Sequence, residues 1–239
     1  LYDEPHCLLQ QEVSEVGSYF SIIKAIAAGN HKLSAIAAVL EVKSTNLTKY
    51  LKTLMDLDIL ERRVPVTEEN PERSKRGLCK IKDNYLRVWF AFIYPNMSFI
   101  ESGHSGIVMD KIRKGLTTSH IGFVYEDICE ERMWELNVNN TWPFQFSKLG
   151  GYWDAKNEID IAALDPEGKN LILGECKYWK EPVGLNVLHA LEAKAGDVAW
   201  ERDRRKVWYV LFSISGFSDE LRNHAATRDD LLLIDDGER

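Results

Sequence analysis

The chain lacks the features that mark membrane proteins, secreted proteins and zinc proteins. No uninterrupted apolar run approaches the roughly 20 residues that a transmembrane helix needs, and the first residues have neither the basic end nor the apolar centre of a signal peptide. The four cysteines show no C-x-x-C spacing and the six histidines no ligand pattern. We therefore predict a cytoplasmic protein with neither a membrane span nor zinc. The chain begins with Leu1 instead of Met, which indicates a fragment or a trimmed chain.

Basic residues are outnumbered, and the formal net charge of −7 argues against a general nucleic-acid binder. The charge is unevenly distributed. Residues 1–90 carry 13 basic and 12 acidic side chains, whereas residues 91–239 carry 17 and 25. Residues 43–87 alone hold 11 basic and 7 acidic groups. This asymmetry predicts two parts with different roles, which we place at residues 1–95, including an N-terminal arm, and at residues 96–239.

The first part has three helical patterns followed by two strand-like runs. Apolar residues recur at helical spacing within residues 19–26, 33–40 and 47–54, and Ser44 is the predicted N-cap of the third helix. The strand-like runs cover residues 59–66 and 78–82. This order predicts a winged helix-turn-helix, whose third helix enters a major groove and whose wing lies against phosphates.

The predicted DNA-binding residues are polar or basic and lie on the outer face of the third helix or at the wing tip. They are Thr45, Asn46, Lys49, Lys52, Arg73, Lys75 and Arg76. Tri-helical modules of this shape also bind proteins, so a protein partner stays open as an alternative.

The next segments are an aromatic block and a long helix. Residues 84–94 are rich in aromatic and aliphatic side chains and are predicted to form a buried helix that ends at Pro95. A longer helix is predicted over residues 119–136. Gly122, Glu126, Cys129 and Met133 share one of its faces, which makes Glu126 a candidate third acid for a metal site, although most such acids are solvated.

The stretch from Glu158 to Trp179 predicts a β-hairpin, because two apolar runs flank a cluster of Asp, Pro, Gly and Asn. A turn about Glu167 and Gly168 places positions that sum to about 335 opposite each other, so Asp160 faces Glu175. Two opposed carboxylates repel, and a hard divalent cation such as Mg²⁺ removes that repulsion. Lys177 lies one pleat further along on the same face. The alternative is a solvated strand face with an incidental ion pair.

The remaining patterns are a helix at 186–195, a strand at 206–213, a helix at 219–224 and a strand at 231–234. Together with the long helix and the hairpin they predict an α/β sandwich, α+β overall, on a mixed sheet flanked by helices.

Two resemblances to known families follow from these residues. Asp160 with Glu175-Cys176-Lys177 resembles the signature of the PD-(D/E)XK, or restriction-endonuclease-like, superfamily. The segments 19–29, 82–90 and 152–161 resemble the C-terminal region of archaeal-type AAA-related ATPases, in which a P-loop ATPase precedes a winged helix and a PD-(D/E)XK-like domain. No G-x-x-x-x-G-K-[ST] occurs here, so the chain has no nucleotide site and its ATPase domain would be an absent upstream partner.

The resemblance implies a site in which Glu126, Asp160, Glu175 and Lys177 occupy the nuclease positions. The three acids would hold Mg²⁺ or Mn²⁺ and Lys177 would position water, which implies a metal-dependent DNA endonuclease module attached to an ATPase. The alternative is an inactive nuclease-fold scaffold whose winged helix binds DNA or a protein and regulates the ATPase; a homo-oligomer also stays open. The acidity of residues 91–239 favours the scaffold unless basic residues gather near the acids, the candidates being Lys180, Arg202, Arg204, Arg205 and Lys206.

Overall fold

The computed structural model describes residues 5, 9, 11, 15–116 and 120–237. These form two compact units, one comprising residues up to Arg63 together with Arg73–His120 and the other comprising Val64–Glu72 and the chain from Ile121 onward. The two compact units divide near residue 120. The predicted domain boundary after residue 95 stays a prediction. Most of the predicted N-terminal arm and the start of the helix predicted from Ser119 lie outside the described residues.

Three helices and a two-stranded sheet open the first unit. The elements are α1 (Val16–Ala27), α2 (Leu33–Val39), α3 (Ser44–Asp56), β1 (Leu60–Arg63) and β2 (Leu78–Ile81). The two strands pair antiparallel, with Leu60 opposite Ile81. Gly29 follows α1 with a φ of 93°, a conformation that favours glycine. Ser44 is the first residue of α3 and not its N-cap: Lys43 holds that position and makes no side-chain capping bond.

The apolar stripes of the three helices meet in one core, as their spacing predicts. Ile23 and Ile36 are fully buried there, as is Leu54. Leu60 and Ile81 close the core from the two strands. Burial of aliphatic side chains of this size stabilises a fold by about 1.5–3 kcal/mol each, so the three helices and the strands depend on one another.

The aromatic block continues through Pro95, so the predicted helix end at that residue is wrong. The chain passes from α4 (Asn84–Val88) through a π-helical turn (Trp89–Ile93) and a 3₁₀ turn (Tyr94–Asn96) into α5 (Met97–Glu101). Pro95 lies at the start of the 3₁₀ turn, where the missing N–H costs no helical hydrogen bond. The predicted burial of the aromatic block holds only for its middle: Trp89 and Phe90 are buried and pack edge-to-face on Phe20, whereas Tyr85 is 41% exposed. Helix α6 (Ser105–Leu116) follows.

The second unit contains a five-stranded sheet with helices on both faces. Its elements are α7 (Gly122–Val138), β3 (Lys148–Trp153), β4 (Glu158–Leu164), β5 (Asn170–Lys177), α8 (Leu185–Ala195), β6 (Lys206–Ser213), α9 (Asp219–Ala225) and β7 (Leu231–Asp235). The strand order is β3-β4-β5-β6-β7. The first two pairings are antiparallel and the last two parallel, so the predicted mixed sheet flanked by helices is confirmed. Strand β3 was not predicted, because Gly150 and Gly151 weaken its β signal.

The helices cover the sheet in two separate apolar layers. Cys129 and Met133 of α7 pack on one face, whereas Leu188 and Leu191 of α8 and Leu221 of α9 pack on the other. Strand β5 is central, and its side chains alternate between the layers. Within the described ranges, no helix is both long enough and apolar enough to cross a membrane.

Candidate active site

The β4–β5 hairpin has the register that the sequence predicts. Ile161 lies opposite Gly174 and Leu164 opposite Leu171, so the paired positions sum to 335. The turn between them is closed by Asp165, whose side chain accepts hydrogen bonds from the Lys169 N–H at 3.2 Å and from the Asn170 amide at 2.6 Å. These bonds hold the turn, and the turn fixes which residues of β4 and β5 become neighbours.

A β-bulge at the start of β4 changes the direction of Asp160. On the β3 side, Gly150 pairs with Ala162 and Tyr152 with Ile159. Gly151 therefore faces two residues, Asp160 and Ile161, and the regular ladder to β5 ends at Ile161. Released from the ladder, the Asp160 carboxylate accepts a hydrogen bond from the Cys176 N–H at 2.9 Å.

The two carboxylates and the predicted lysine meet at this point. The Lys177 ammonium donates to Glu175 Oε2 and lies 3.4 Å from Asp160 Oδ2. Glu175 and Lys177 share a face of β5, as strand alternation requires. The convergence that the hairpin register predicts is therefore confirmed, while the roles of Asp160, Glu175 and Lys177 in catalysis or metal binding stay predictions.

A second lysine, which the sequence interpretation did not include in the site, completes the cluster. Lys194 lies on the last turn of α8 and donates to Glu175 Oε1 at 2.6 Å and to the Glu158 carbonyl at 2.7 Å. Its signal in the sequence was only its place at the end of a helix that follows the motif. We name Asp160, Glu175, Lys177 and Lys194 the carboxylate–lysine cluster.

The carboxylate–lysine cluster is partly shielded from water. The side chain of Glu175 is only 7% exposed and that of Asp160 16%. Burial and the neighbouring charge of Glu175 raise the pKa of Asp160. Burial lowers the pKa of Lys177, but the attraction of both carboxylates outweighs it, so this pKa is raised overall. The lysine thus remains a cation beside the two acids.

Three of the five basic residues whose gathering near the acids would favour an enzyme make other contacts instead. Arg205 donates to the Ala195 and Val198 carbonyls at the end of α8, Arg202 donates to the Asp197 carbonyl, and Lys206 lies over the Trp208 ring. Lys194 supplies the nearby positive charge instead.

Glu126 is not brought into a three-acid group with Asp160 and Glu175. It is half-buried on α7, the helix that packs on the opposite face of the sheet from α8. Burial above all, then the contact with Cys129 and the charges of Asp160 and Glu126, raise the pKa of the Cys176 thiol. Among the described residues, no three His, Cys, Asp or Glu side chains are arranged to hold a metal ion.

The cluster nevertheless has donors of the type that Mg²⁺ takes. This ion is usually held by one or two carboxylates and keeps several of its waters. Asp160 and Glu175 are two carboxylates that approach one ammonium, so they suit a hydrated cation. That cation would compete with the ammonium groups of Lys177 and Lys194 for the same oxygens.

The first unit carries a basic cavity between α3 and the two strands. It has a volume of about 550 Å³, which is within the range of ligand sites. Leu33, Leu51 and Met55 contribute apolar surface. The described residues that line it include no Asp or Glu but four cations, namely Lys32, Lys52, Arg62 and Lys75.

Two of the seven predicted DNA-binding residues belong to this cavity. Lys52 and Lys75 line it. Arg62 donates to the Ser74 carbonyl, which ties the connection before β2 to β1. The other predicted contact residues, of which all but Arg76 are well exposed, are Thr45, Asn46, Lys49, Arg73 and Arg76. In the part of the chain that the structure describes, no carboxylate pairs with Lys32, Lys52 or Lys75.

Comparison with protein families gives a match over the middle of the chain. Residues 89–194 match the DUF234 family model, described as archaeal and bacterial proteins of unknown function. The chain is also 39% identical over 174 residues to the uncharacterized protein MJECL04 of Methanocaldococcus jannaschii. That similarity covers 73% of this chain but 38% of the relative, so the chain spans well under half of that protein.

Comparison with solved structures gives only distant similarities. A repair endonuclease from Pyrococcus abyssi has a TM-score of 0.29 at 10% identity, covering 45% of each chain. The EndoMS–dsDNA complex has a TM-score of 0.29 at 15% identity, covering 46% of each. Protein VC1899 from Vibrio cholerae has a TM-score of 0.31 at 14% identity, covering 82% of this chain and 40% of that one. Similarities this weak carry no argument, so the restriction-endonuclease-like and winged-helix names stay predictions.

Proposed function

We propose that the second unit is a metal-dependent phosphodiesterase module of the PD-(D/E)XK type that acts on DNA. The observation that carries this proposal is the contact of one ammonium, that of Lys177, with both carboxylates at the end of the β4–β5 hairpin. Two acids and a lysine at one point are the groups needed to cut a phosphodiester: negative oxygens for a cation and a positive donor for the reacting phosphate.

Lys177 has the role that depends most on its position. Its ammonium is held in place by Asp160 and Glu175 and keeps its charge because both acids raise its pKa. A preorganised cation can orient water and stabilise the negative charge that grows on the phosphate in the transition state. Its partial burial makes that interaction stronger than it would be in water.

Asp160 and Glu175 would hold Mg²⁺ or Mn²⁺. Glu126, the third acid that the family resemblance suggests, is not grouped with these two among the described residues, so the proposed site relies on two carboxylates. When bound, such a cation neutralises phosphate charge and makes water more acidic. Lys194 lies on the other oxygen of Glu175 and would orient that carboxylate.

The first unit is proposed to bind DNA as a winged helix. The support is its three helices followed by two antiparallel strands and the basic cavity beside α3. Unpaired lysines around one cavity repel each other, and a phosphate backbone relieves that repulsion by replacing counterions. Thr45, Asn46, Lys49, Lys52, Arg73, Lys75 and Arg76 remain the proposed contacts.

The chain is further proposed to act in the cytoplasm as the C-terminal part of an ATPase, supported by the family resemblance and by the longer relative, of which it spans 38%. The cysteines that the structure describes are free thiols, which suits a reducing compartment. The competing function is a scaffold that binds DNA or a protein without cutting.

A cleavage assay with the intact chain tests the enzyme proposal. Branched, single-stranded and duplex DNA are incubated with Mg²⁺, Mn²⁺ or EDTA, and Glu175→Gln serves as the matched inactive variant. We expect metal-dependent nicking by the wild type and none by Glu175→Gln. Binding without nicking of any substrate, with the ATPase domain also restored, would establish the scaffold function instead.

A further inference from the structure

Two exposed aromatic side chains directly follow the carboxylate–lysine cluster. Tyr178 is 36% exposed and Trp179 48%. A tryptophan ring is a large apolar surface whose burial normally contributes strongly to folding. The half-exposed ring of Trp179 therefore offers a flat apolar face to a ligand beside charged groups.

The ring of Trp179 is held next to the proposed reaction centre. The Lys177 ammonium lies over it, 5.8 Å from the ring centroid, while also contacting Asp160 and Glu175. The Ser215 hydroxyl donates to the Trp179 carbonyl at 2.5 Å, which anchors the backbone that carries the ring. One lysine thus connects the acids to an aromatic surface.

We propose that Trp179 stacks on an unpaired nucleobase of the DNA strand whose phosphate lies at the carboxylate–lysine cluster. This inference rests on the proposed nuclease function and names its substrate class: DNA with single-stranded nucleotides at the point of cleavage. In a duplex each base face is covered by the neighbouring bases, so an indole can stack only on a base that is unpaired or turned out of the helix.

Aromatic stacking makes the prediction independent of base identity. Every base has a π-face, and loss of one base–aromatic contact typically weakens binding to a single strand by roughly 5- to 150-fold. A ring that merely covers apolar protein surface would instead change folding and leave the preference between single-stranded and duplex DNA unaltered.

The test is binding of short single-stranded and duplex oligonucleotides by the intact chain in EDTA, measured by fluorescence anisotropy. We expect Trp179→Leu to weaken single-strand binding by roughly 5- to 150-fold while duplex binding stays within about twofold. Trp179→Phe should retain most of the single-strand affinity, because it keeps an aromatic face. Trp134→Leu is the matched control, since Trp134 is 44% exposed in the same unit and should leave both affinities unchanged.

Equal affinity of Trp179→Leu and wild type for the single strand would overturn the inference, as would equal losses for single strand and duplex. If Trp179→Leu does not fold, as judged by thermal melting, the comparison of Trp179→Phe with wild type decides: a loss as large as that expected for Leu contradicts stacking. Cleavage separates the two proposals. If wild type prefers the single strand, loses that preference on Trp179→Leu and nicks no DNA, the stacking proposal stands and the nuclease proposal fails. If both DNA forms are nicked and Trp179→Leu changes neither binding nor nicking, the nuclease proposal stands and the stacking proposal fails.

Discussion

The lysines of the two units have opposite electrostatic environments. In the second unit, Lys177 and Lys194 are bonded to carboxylates that are themselves largely buried. In the first unit, Lys32, Lys52 and Lys75 line a cavity whose described lining contains no acid. A lysine paired within the fold positions other groups, whereas lysines gathered without acids favour an external anion. The difference separates a proposed reaction site from a proposed binding surface.

The largest expected effect is on cleavage and distinguishes the two lysines of the cluster. We expect Lys177→Ala to reduce DNA nicking about a hundredfold or more, because one preorganised donor to a transition state is worth roughly 3–4 kcal/mol. Lys194→Ala should reduce DNA nicking much less, since Lys194 contacts Glu175 and the Glu158 carbonyl but not Asp160.

Metal binding is the control for the Lys177→Ala and Lys194→Ala variants. Both variants should keep the rise in melting temperature that Mg²⁺ produces by linkage, because removing an ammonium relieves its repulsion of the cation. Equal losses of nicking in the two variants would show that Lys177 has no special part in the reaction.

Neutralising the basic cavity should affect DNA binding through its salt dependence. With Lys32, Lys52 and Lys75 all changed to Gln, we expect the slope of log affinity against log salt to become shallower by about 3, since each phosphate contact contributes about 0.9. Lys169→Gln is the control, because Lys169 already pairs with Glu167 in the second unit. An unchanged slope would point to a protein partner for the first unit.

Replacing one glycine in each unit by alanine tests how tightly the surrounding residues pack. A Cβ on Gly174 would meet the Val210 Cγ1 at 2.6 Å and the Ile161 Cβ at 3.0 Å, so Gly174→Ala should lower the free energy of unfolding by about 1–3 kcal/mol. Gly106→Ala in α6 meets nothing within 4 Å and should be neutral or stabilising by up to about 1 kcal/mol. Urea denaturation measures both, and a neutral Gly174→Ala would contradict the packing of β5 between β4 and β6.

The smallest effect is the pH dependence of stability. Asp160 has a pKa above its usual 3.8, mainly through burial, so the folded state binds its proton more readily than the unfolded state. Its contribution to the free energy of unfolding is therefore full below pH 3.8 and is lost as the pH rises through the higher folded pKa.

Asp154 is the opposite case and serves as its control. Hydrogen bonds from the Lys156 and Asn157 N–H groups lower its pKa, so its contribution is present above the ordinary pKa and lost as the pH falls. In urea denaturation from about pH 3 to about pH 7, Asp160→Asn should make the pH slope more positive and Asp154→Asn should make it less positive. Slope changes of the same sign would contradict the environment described for Asp160.

Much of the fold could be predicted because it depends on local patterns. The apolar spacing of α1 to α3, the alternation of β5 and the turn at Gly168 each involve residues that are close in the chain. The turn alone set the register that brings Asp160 to the end of β5 near Glu175. The path through Pro95 was predicted wrongly, because a proline can begin a helical turn as well as end one.

The amino-acid sequence by itself determined that Asp160, Glu175 and Lys177 share one end of a hairpin, since strand period and turn position are local properties. Only the tertiary structure decided the bulge opposite Gly151 that turns Asp160 onto the Cys176 N–H, and only the packing of α8 on the sheet brought Lys194 to Glu175. Such contacts depend on how segments far apart in the chain bury their apolar faces against each other. The spacing of residues along the chain does not determine that packing.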